Sequence, residues 1–247
     1  MSRQIVSRHV IAVDIGGTHT DAALLAADGR LHVQKVRSTP ADPGVAMITA
    51  VDALLAAARV GLGEIAAVVH GTTVATNAVI EGDFARVGLV VTEGFEDILD
   101  IGTQQRPDLY DPWRAKGTGI VPRERVFGVR ERIGSDGAVV DRLDEQRVRR
   151  IAEDLRGTVD AVAIVFLFSF VDPAHERRAA EILRAALPGI PVTLSSVVAP
   201  EFREYPRAAT TVLNAALLPR TGGYIARLEE RLRSRGFGGV FQLMTSS

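Results

Sequence analysis

The sequence predicts an α/β fold whose mixed sheet opens with an antiparallel three-strand meander and carries helices on both faces. Three observations support this. Apolar runs at 10–15 and 20–27, then Asp28-Gly29 and the alternating stretch 31–36, read as consecutive strands with a hairpin signal between the last two. Strand-like and helix-like segments then alternate along the chain. Finally, VAIVFLFSFV at 162–171 is continuous and rich in β-branched and aromatic residues. At about half the length of a membrane-spanning helix, it reads as a buried parallel strand.

The elements follow in order. VIAVDI at 10–15 reads as a fully buried strand, TDAALLAA as its neighbour and LHVQKV as the third. Beyond Pro40 and Pro43, Val45, Ile48, Val51, Leu54 and Leu55 recur at helical spacing. AAVVHG at 66–71 is a strand, TVATNAVIE a helix, RVGLVVT at 86–92 a strand and GFEDILDIG one or two helical turns. Residues 103–124 hold three prolines and two glycines without periodicity, the mark of a long irregular loop, of the kind that is usually functional or mobile. RVFGVRERI precedes a Ser135-Asp136-Gly137 turn, followed by a helix at 144–156, a strand at 160–168 and a helix starting near Pro173. PVTLSS at 191–196 is a strand, 204–235 is helical with a stripe of Ile225, Leu228 and Leu232, and VFQLM at 240–244 begins another strand. The expected organisation is one domain over 1–200, then a helical connector and the start of a second domain over 201–247.

Bulk properties narrow the function classes. The 247 residues suffice for one large domain or two smaller ones. A hydrophobic content of 47% and a charged content of 24% are those of an ordinary soluble protein. Twenty-nine basic and thirty acidic side chains leave a net charge of −1, with no electrostatic footprint for nucleic acid or an anionic membrane. The absence of cysteine excludes disulfides and thiolate metal sites and fits a reducing compartment. MSRQIVSRHV lacks the features of a signal peptide. The expectation is a cytoplasmic protein.

IAVDIGGTHTD at 11–21 carries the most chemistry. Gly16 and Gly17, after a strand, let backbone N–H groups approach an anion closely. Thr18 and Thr20, two apart, share a face if the chain is extended there and can donate hydroxyl hydrogen bonds. Asp14, at the carboxyl end of the strand, can hold Mg²⁺ directly or through water. Together these parts make a phosphate-and-magnesium cradle; the competing reading is a tight hairpin with a solvated aspartate. No helix follows the glycines, which excludes a dinucleotide fingerprint, and no Gly-Lys-Ser/Thr closes a P-loop.

HGTTVATN at 70–77 is the second motif. It falls where a strand hands over to a helix, so Gly71, Thr72 and Thr73 lie at a helix N-terminus suited to an anion, with His70 beside them. The alternative is ordinary capping by Thr72 or Thr73 with a structural His70. Weaker candidates are Arg106, Asp108, Tyr110 and Asp111 in the long loop and the Glu201, Arg203, Glu204 cluster. His175 reads as a surface residue and Asp172 as a helix cap.

VDIGGTHTD, HGTTVATNAVIE, GFEDILDIGTQQRPDLYDP, FLFSFVDPAHERRAAEIL and PEFREYPRAATTVLNAALLP resemble, in this order, the hydantoinase A/oxoprolinase family. Its members include ATP-dependent hydantoinase and oxoprolinase subunits and the acetone carboxylase beta subunit. The resemblance implies an actin-like ATPase (ribonuclease-H-like) fold. It also implies an ATP- and Mg²⁺-dependent enzyme that phosphorylates the carbonyl oxygen of a cyclic amide (hydantoin, 5-oxoproline or a related lactam) before ring opening, or of a ketone before carboxylation. A hydantoinase B-type partner is implied as well. Carried over, Asp14 is catalytic and the metal-associated carboxylate. Gly16, Gly17, Thr18 and Thr20 form the first phosphate loop, Gly71 and Thr72 the second turn, and His70 and Thr73 lie near the reacting groups. The chain departs from the family at His19, at Gly82 and at Pro206. The second phosphate loop of relatives begins about where this chain stops, so the expectation is an N-terminal half, inactive alone. A small-molecule kinase and a non-catalytic binding domain are the competing expectations.

Overall fold

The computed structural model describes residues 8–39, 42–105, 110–111 and 119–244. In chain order the strands are β1 (His9–Ile15), β2 (His19–Leu25), β3 (Leu31–Arg37), β4 (Ile65–Thr72), β5 (Val87–Thr92), β6 (Val126–Val129), β7 (Arg132–Ile133), β8 (Val139–Asp141), β9 (Ala161–Val165), β10 (Val192–Leu194) and β11 (Val240–Leu243). The helices are α1 (Pro43–Ala58), α2 (Val74–Glu81), α3 (Ile98–Ile101), α4 (Glu145–Leu155), α5 (Ala174–Ala186), α6 (Ser195–Val198) and α7 (Glu204–Ser234). Contacts group the chain into two compact units. One holds residues up to Glu81 together with those from Thr221 onward, and the other runs Gly82–Arg220.

In the first unit five strands form a sheet in the order β11-β4-β1-β2-β3. The expected meander is present, with β1 antiparallel to β2 and β2 to β3, while β1, β4 and β11 run parallel. β1 was expected to be buried on both faces, but its burial alternates. Ile11, Val13 and Ile15 face the core, whereas Ala12 and Asp14 are exposed. The core side is closed by Met47, Val51 and Leu54 of α1 and by Tyr224, Leu228 and Leu232 of α7. Among the described residues this sheet therefore carries its helical cover on one face, and Asp14 sits on the other.

Helix α1 begins where the sequence places it. Pro43 opens the first turn and the Asp42 carboxylate accepts from Gly44 N at 3.1 Å, the usual capping arrangement. The same carboxylate takes two hydrogen bonds from Arg231 of α7, at 3.0 and 2.6 Å, so one side chain ties both helices.

The second unit is built on a separate parallel sheet, in the order β10-β9-β5-β6, with β7 and β8 as a short antiparallel ribbon. Helices on both faces hold here. Val148, Ile151 and Leu155 of α4 and Ala179 and Leu183 of α5 pack on one side. Ala208, Val212 and Ala215 of α7 pack on the other, against Leu89 and Ala163. Being covered twice, β5 and β9 are buried at every position, which explains their unbroken apolar sequences.

Three expectations need correction. The single mixed sheet is two sheets. The strand expected over 160–168 ends at Val165, because the next two backbone N–H groups bond to side chains: Phe166 N to Glu176 Oε1 at 3.0 Å and Leu167 N to Thr92 Oγ1 at 2.9 Å. The stretch expected to open a second domain, VFQLM, instead pairs in parallel with β4 as the fifth strand of the first sheet. Contacts group the chain with breaks after Glu81 and after Arg220. Half of the 103–124 loop, including Arg106 and Asp108, lies outside the described residues. No described helix is long and apolar enough to cross a membrane.

Asp42→Ala removes a cap and a partly exposed ion pair, and is expected to cost about 1–2 kcal/mol in denaturant unfolding. Arg231 holds the Asp42 carboxyl below its ordinary value of 3.8. Its contribution is full above that value and fades as pH falls below it, so the variant should show a shallower acid limb.

Candidate functional site

Strand register builds the centre of the site. Asp14 on β1 pairs with Gly71 on β4 and with Asp21 on β2, and Asp21 pairs with Lys35 on β3. These four residues form one row across the sheet, with Asp14, Asp21 and Lys35 exposed. Lys35 Nζ binds both oxygens of Asp21, at 2.8 and 2.9 Å. Asp14 has no such partner among the described residues, although a second carboxylate stands directly opposite it. Like charges facing across a strand pair are unfavourable; Lys35 offsets this at Asp21, and Asp14 has no such counter-charge among the described residues. A Cβ on Gly71 would come within 3.3 Å of Asp14 Oδ1, which is why the neighbouring strand is bare there.

The glycine loop follows at once. Gly16 N donates to His19 O at 3.0 Å, and a Cβ on Gly16 would stand 3.1 Å from that oxygen, so the turn itself requires glycine. Gly17 differs: it is exposed and a Cβ there would meet nothing within 4 Å. The chain gives no steric reason for this glycine, whereas a closely approaching ligand does. Ser38, just past β3, braces the loop with three contacts. Its N donates to Thr18 O at 3.0 Å, its hydroxyl donates to Gly16 O at 2.7 Å, and its Oγ lies 3.0 Å from Thr20 Oγ1. Thr20 is fully buried while Thr18 is exposed, so the two hydroxyls do not share an open face as expected. Thr20 faces the brace.

The HGTT segment reaches the same edge, since Ile15 and Thr72 are register partners at the carboxyl ends of β1 and β4. Thr72 Oγ1 accepts from Val74 N at 3.2 Å at the start of α2, and Thr73 is exposed. His70 lies one step back and points the other way. It is fully buried, with Nδ1 at 3.3 Å from Val13 O and Nε2 at 3.0 Å from Tyr224 Oη. The carbonyl only accepts, so Nδ1 carries the proton and the Tyr224 hydroxyl donates to Nε2. Burial pushes the imidazole below its ordinary value and the Tyr224 phenol up to about 12. Its ring also stacks on Phe241 of β11, at 6.3 Å between centroids. Both nitrogens are engaged, so His70 holds the turn from behind.

Asp14, Gly16, Gly17, Thr18, Gly71 and Thr73 thus gather at one strand edge, while Thr20, His70 and Thr72 lie on the core side of the sheet. Ser38, Tyr224 and Asp21 with Lys35 were not anticipated. Among the described residues no three His, Cys, Asp or Glu side chains converge as a metal cage.

The second unit holds a further polar cluster. His175, expected at the surface, has a side chain only 12% exposed and places Nδ1 2.8 Å from Glu131 Oε2. The other Glu131 oxygen meets the Thr92 hydroxyl. Glu176, also fully buried, accepts from Phe166 N, Ser195 Oγ and Ser196 N at 3.0, 2.6 and 2.9 Å. Arg207 donates to Phe166 O at 2.8 Å. Tyr110 and Asp111 of the long loop are exposed; Glu204 opens α7; and the Asp172 carboxylate, expected as the cap of α5, lies one residue before the cap Pro173 and accepts from Ala174 N at 2.9 Å.

Residues 10–187 match the family model for the hydantoinase/oxoprolinase N-terminal region. The chain belongs to the hydantoinase/oxoprolinase family. It is 37% identical to the caprolactamase subunit alpha of Pseudomonas jessenii over 96% of its own length and 34% of that protein's. To the acetophenone carboxylase gamma subunit of Aromatoleum aromaticum it is 34% identical, over 96% of this chain and 35% of the relative. Among solved structures, nucleotide-free acetone carboxylase superposes with a TM-score of 0.84 at 27% identity, covering 96% of this chain and 36% of that one. The ATP-dependent caprolactamase of P. jessenii superposes at 0.81 and 34% identity, covering 96% and 34%. This member of the family spans about a third of the length of those relatives.

Ser38→Ala is expected to lower stability by about 1 kcal/mol, the scale of a lost hydrogen bond, and to speed amide exchange at Gly16 and Ser38. For His70 the sign follows from its lowered value. The unfolded chain takes up the proton first, so stability is full above the ordinary value of 6.5 and declines as pH falls below it. Thermal melts across that range should slope for the natural chain and flatten for His70→Asn.

Proposed function

We propose that this chain provides the phosphate-binding part of an ATP-dependent hydrolase of cyclic amides such as a hydantoin, 5-oxoproline or a related lactam. In this reading ATP phosphorylates the carbonyl oxygen before the ring opens. The observation that carries it is the unpaired Asp14 carboxylate, opposite Asp21 and over Gly71, beside a glycine loop with open space above Gly17. The likeness to a lactamase described as ATP-dependent supports the choice of substrate class. The meander followed by two parallel strands supports reading the first unit as the ribonuclease-H-like core of an actin-like ATPase.

The residues divide the work as follows. Asp14 holds Mg²⁺ through water or directly, and the ion, when bound, supplies charge neutralisation at phosphate oxygens. Gly16 and Gly17 let the backbone come close to the phosphates, and Thr18 offers a hydroxyl. Gly71, Thr72 and Thr73 bring the N-terminal end of α2 to the same edge, where its dipole favours an anion. Ser38, Thr20, His70 and Tyr224 keep these groups in place. Similar chains are named as subunits, which supports a B-type partner that completes ring hydrolysis. A ketone substrate is the second reading, favoured by the likeness to acetone carboxylase and to an acetophenone carboxylase subunit.

The test uses the full-length protein with its partner, MgATP, and a panel of hydantoin, 5-oxoproline, caprolactam and acetone with bicarbonate. Orthophosphate release tied to a ring-opened amino acid supports the first reading, and release tied to a carboxylated ketone supports the second. Asp14→Ala is expected to lower turnover by at least about a hundredfold. Its unfolding midpoint should hold or rise slightly, because an exposed like-charge pair is relieved. Turnover at the natural rate by this variant would overturn the role of Asp14.

A further inference from the structure

We propose that His175, held by Glu131, is the base of a second site, at the carboxyl edge of the four-stranded sheet, that takes the proton next to the carbonyl group of a small uncharged amide or ketone. The inference rests on the carbonyl chemistry proposed above and concerns the second unit by itself.

Geometry leads to it. Thr92 ends β5, Glu131 follows β6 and Leu167 follows β9, so the cluster lies beyond the carboxyl ends of parallel strands, where open α/β sheets take ligands. The Thr92 oxygen accepts from Leu167 N at 2.9 Å, and its hydroxyl meets one oxygen of Glu131. His175 Nδ1 stands 2.8 Å from the other oxygen. That contact fixes the ring orientation and puts a proton on Nδ1, which leaves Nε2 as the acceptor. Nε2 has no partner among the described residues, although the side chain keeps access to solvent. A buried carboxylate holding an imidazole whose other nitrogen is free is the arrangement of an oriented base.

A second observation is independent of the pair. Phe168 adopts φ 55°, in the left-handed region that a phenylalanine rarely visits. The turn bearing it is fixed by Thr92, Glu176 and Arg207, all bonded to the backbone of residues 166–167. Strain held this firmly beside a polar cluster is characteristic of ligand sites.

A carbonyl compound seated at Nε2 can lose a proton from the carbon or nitrogen next to the carbonyl group. In the step proposed, the C–H or N–H electron pair becomes a C=C or C=N bond and the carbonyl π pair moves to oxygen. The proton goes to Nε2, and Glu131 balances the imidazolium.

The experiment incubates the full-length protein and its partner with cyclohexanone, a carbon analogue of a lactam, in D₂O without ATP. Deuterium at the α-carbons is followed by mass spectrometry. Exchange is expected at least about a hundredfold above buffer, the lower range for a positioned base. His175→Asn keeps an N–H toward Glu131 but lacks Nε2, so it should retain the melting midpoint and lose exchange to the buffer rate. If that variant melts early, His175→Gln is expected to lose exchange likewise. Absence of exchange by the natural protein, or natural exchange by either variant, would overturn the inference. Lactam-dependent ATP turnover is assayed separately. Turnover without exchange removes this inference alone, and exchange without turnover removes the reading of the Asp14 site alone.

Discussion

Strand register is the constraint on which the phosphate-binding reading depends. Pairing β1 with β2 in one direction and with β4 in the other sets Gly71, Asp14, Asp21 and Lys35 in a line. A slip of one residue would turn Asp14 into the core and Val13 out to solvent. The apolar positions Ile11, Val13 and Ile15 prevent that slip, since each is almost wholly buried against α1 and α7. The same burial that stabilises the sheet therefore points a carboxylate outward beside another carboxylate. Charge alone would not choose that arrangement.

In the second unit side chains end a strand. Glu176 and Thr92 take the backbone N–H groups of Phe166 and Leu167, and Arg207 takes the Phe166 carbonyl. Fully buried charged groups are costly unless satisfied; Glu176 is satisfied in part by the backbone of this turn and in part by Ser195 and Ser196. The unit thus uses buried polar groups to fix residues 166 and 167 and not to extend the sheet.

The sequence made much of this legible, for identifiable reasons. The meander, the parallel alternation and α1 follow from local periodicity and turn chemistry, whereas the Asp42 cap was read only from the structure. Asp14, Gly16, Gly17 and the GTT turn stand out because their residue types are odd for a strand end. Thr20 and His70 were placed among functional residues because a polar residue in a motif says nothing about which face it takes; burial decided that. Ser38, Tyr224 and the Glu131–His175 pair were not readable, because their partners lie 18 or more positions away: Thr20, His70 and, for His175, Glu131. The separate second sheet was missed for the same reason. Alternating strands and helices look alike whether they extend one sheet or start another.

The first unit is assembled from two stretches of chain separated by the whole of the second. During synthesis the meander and β4 leave the ribosome long before Tyr224, Leu228, Leu232 and β11 exist to cover Ile11, Leu24 and Val68. Residues 82–220, being contiguous, are free to fold first. The nascent protein therefore carries an uncovered apolar sheet face until the end of α7 and β11 have been made, which exposes the opening meander to misassembly in that interval.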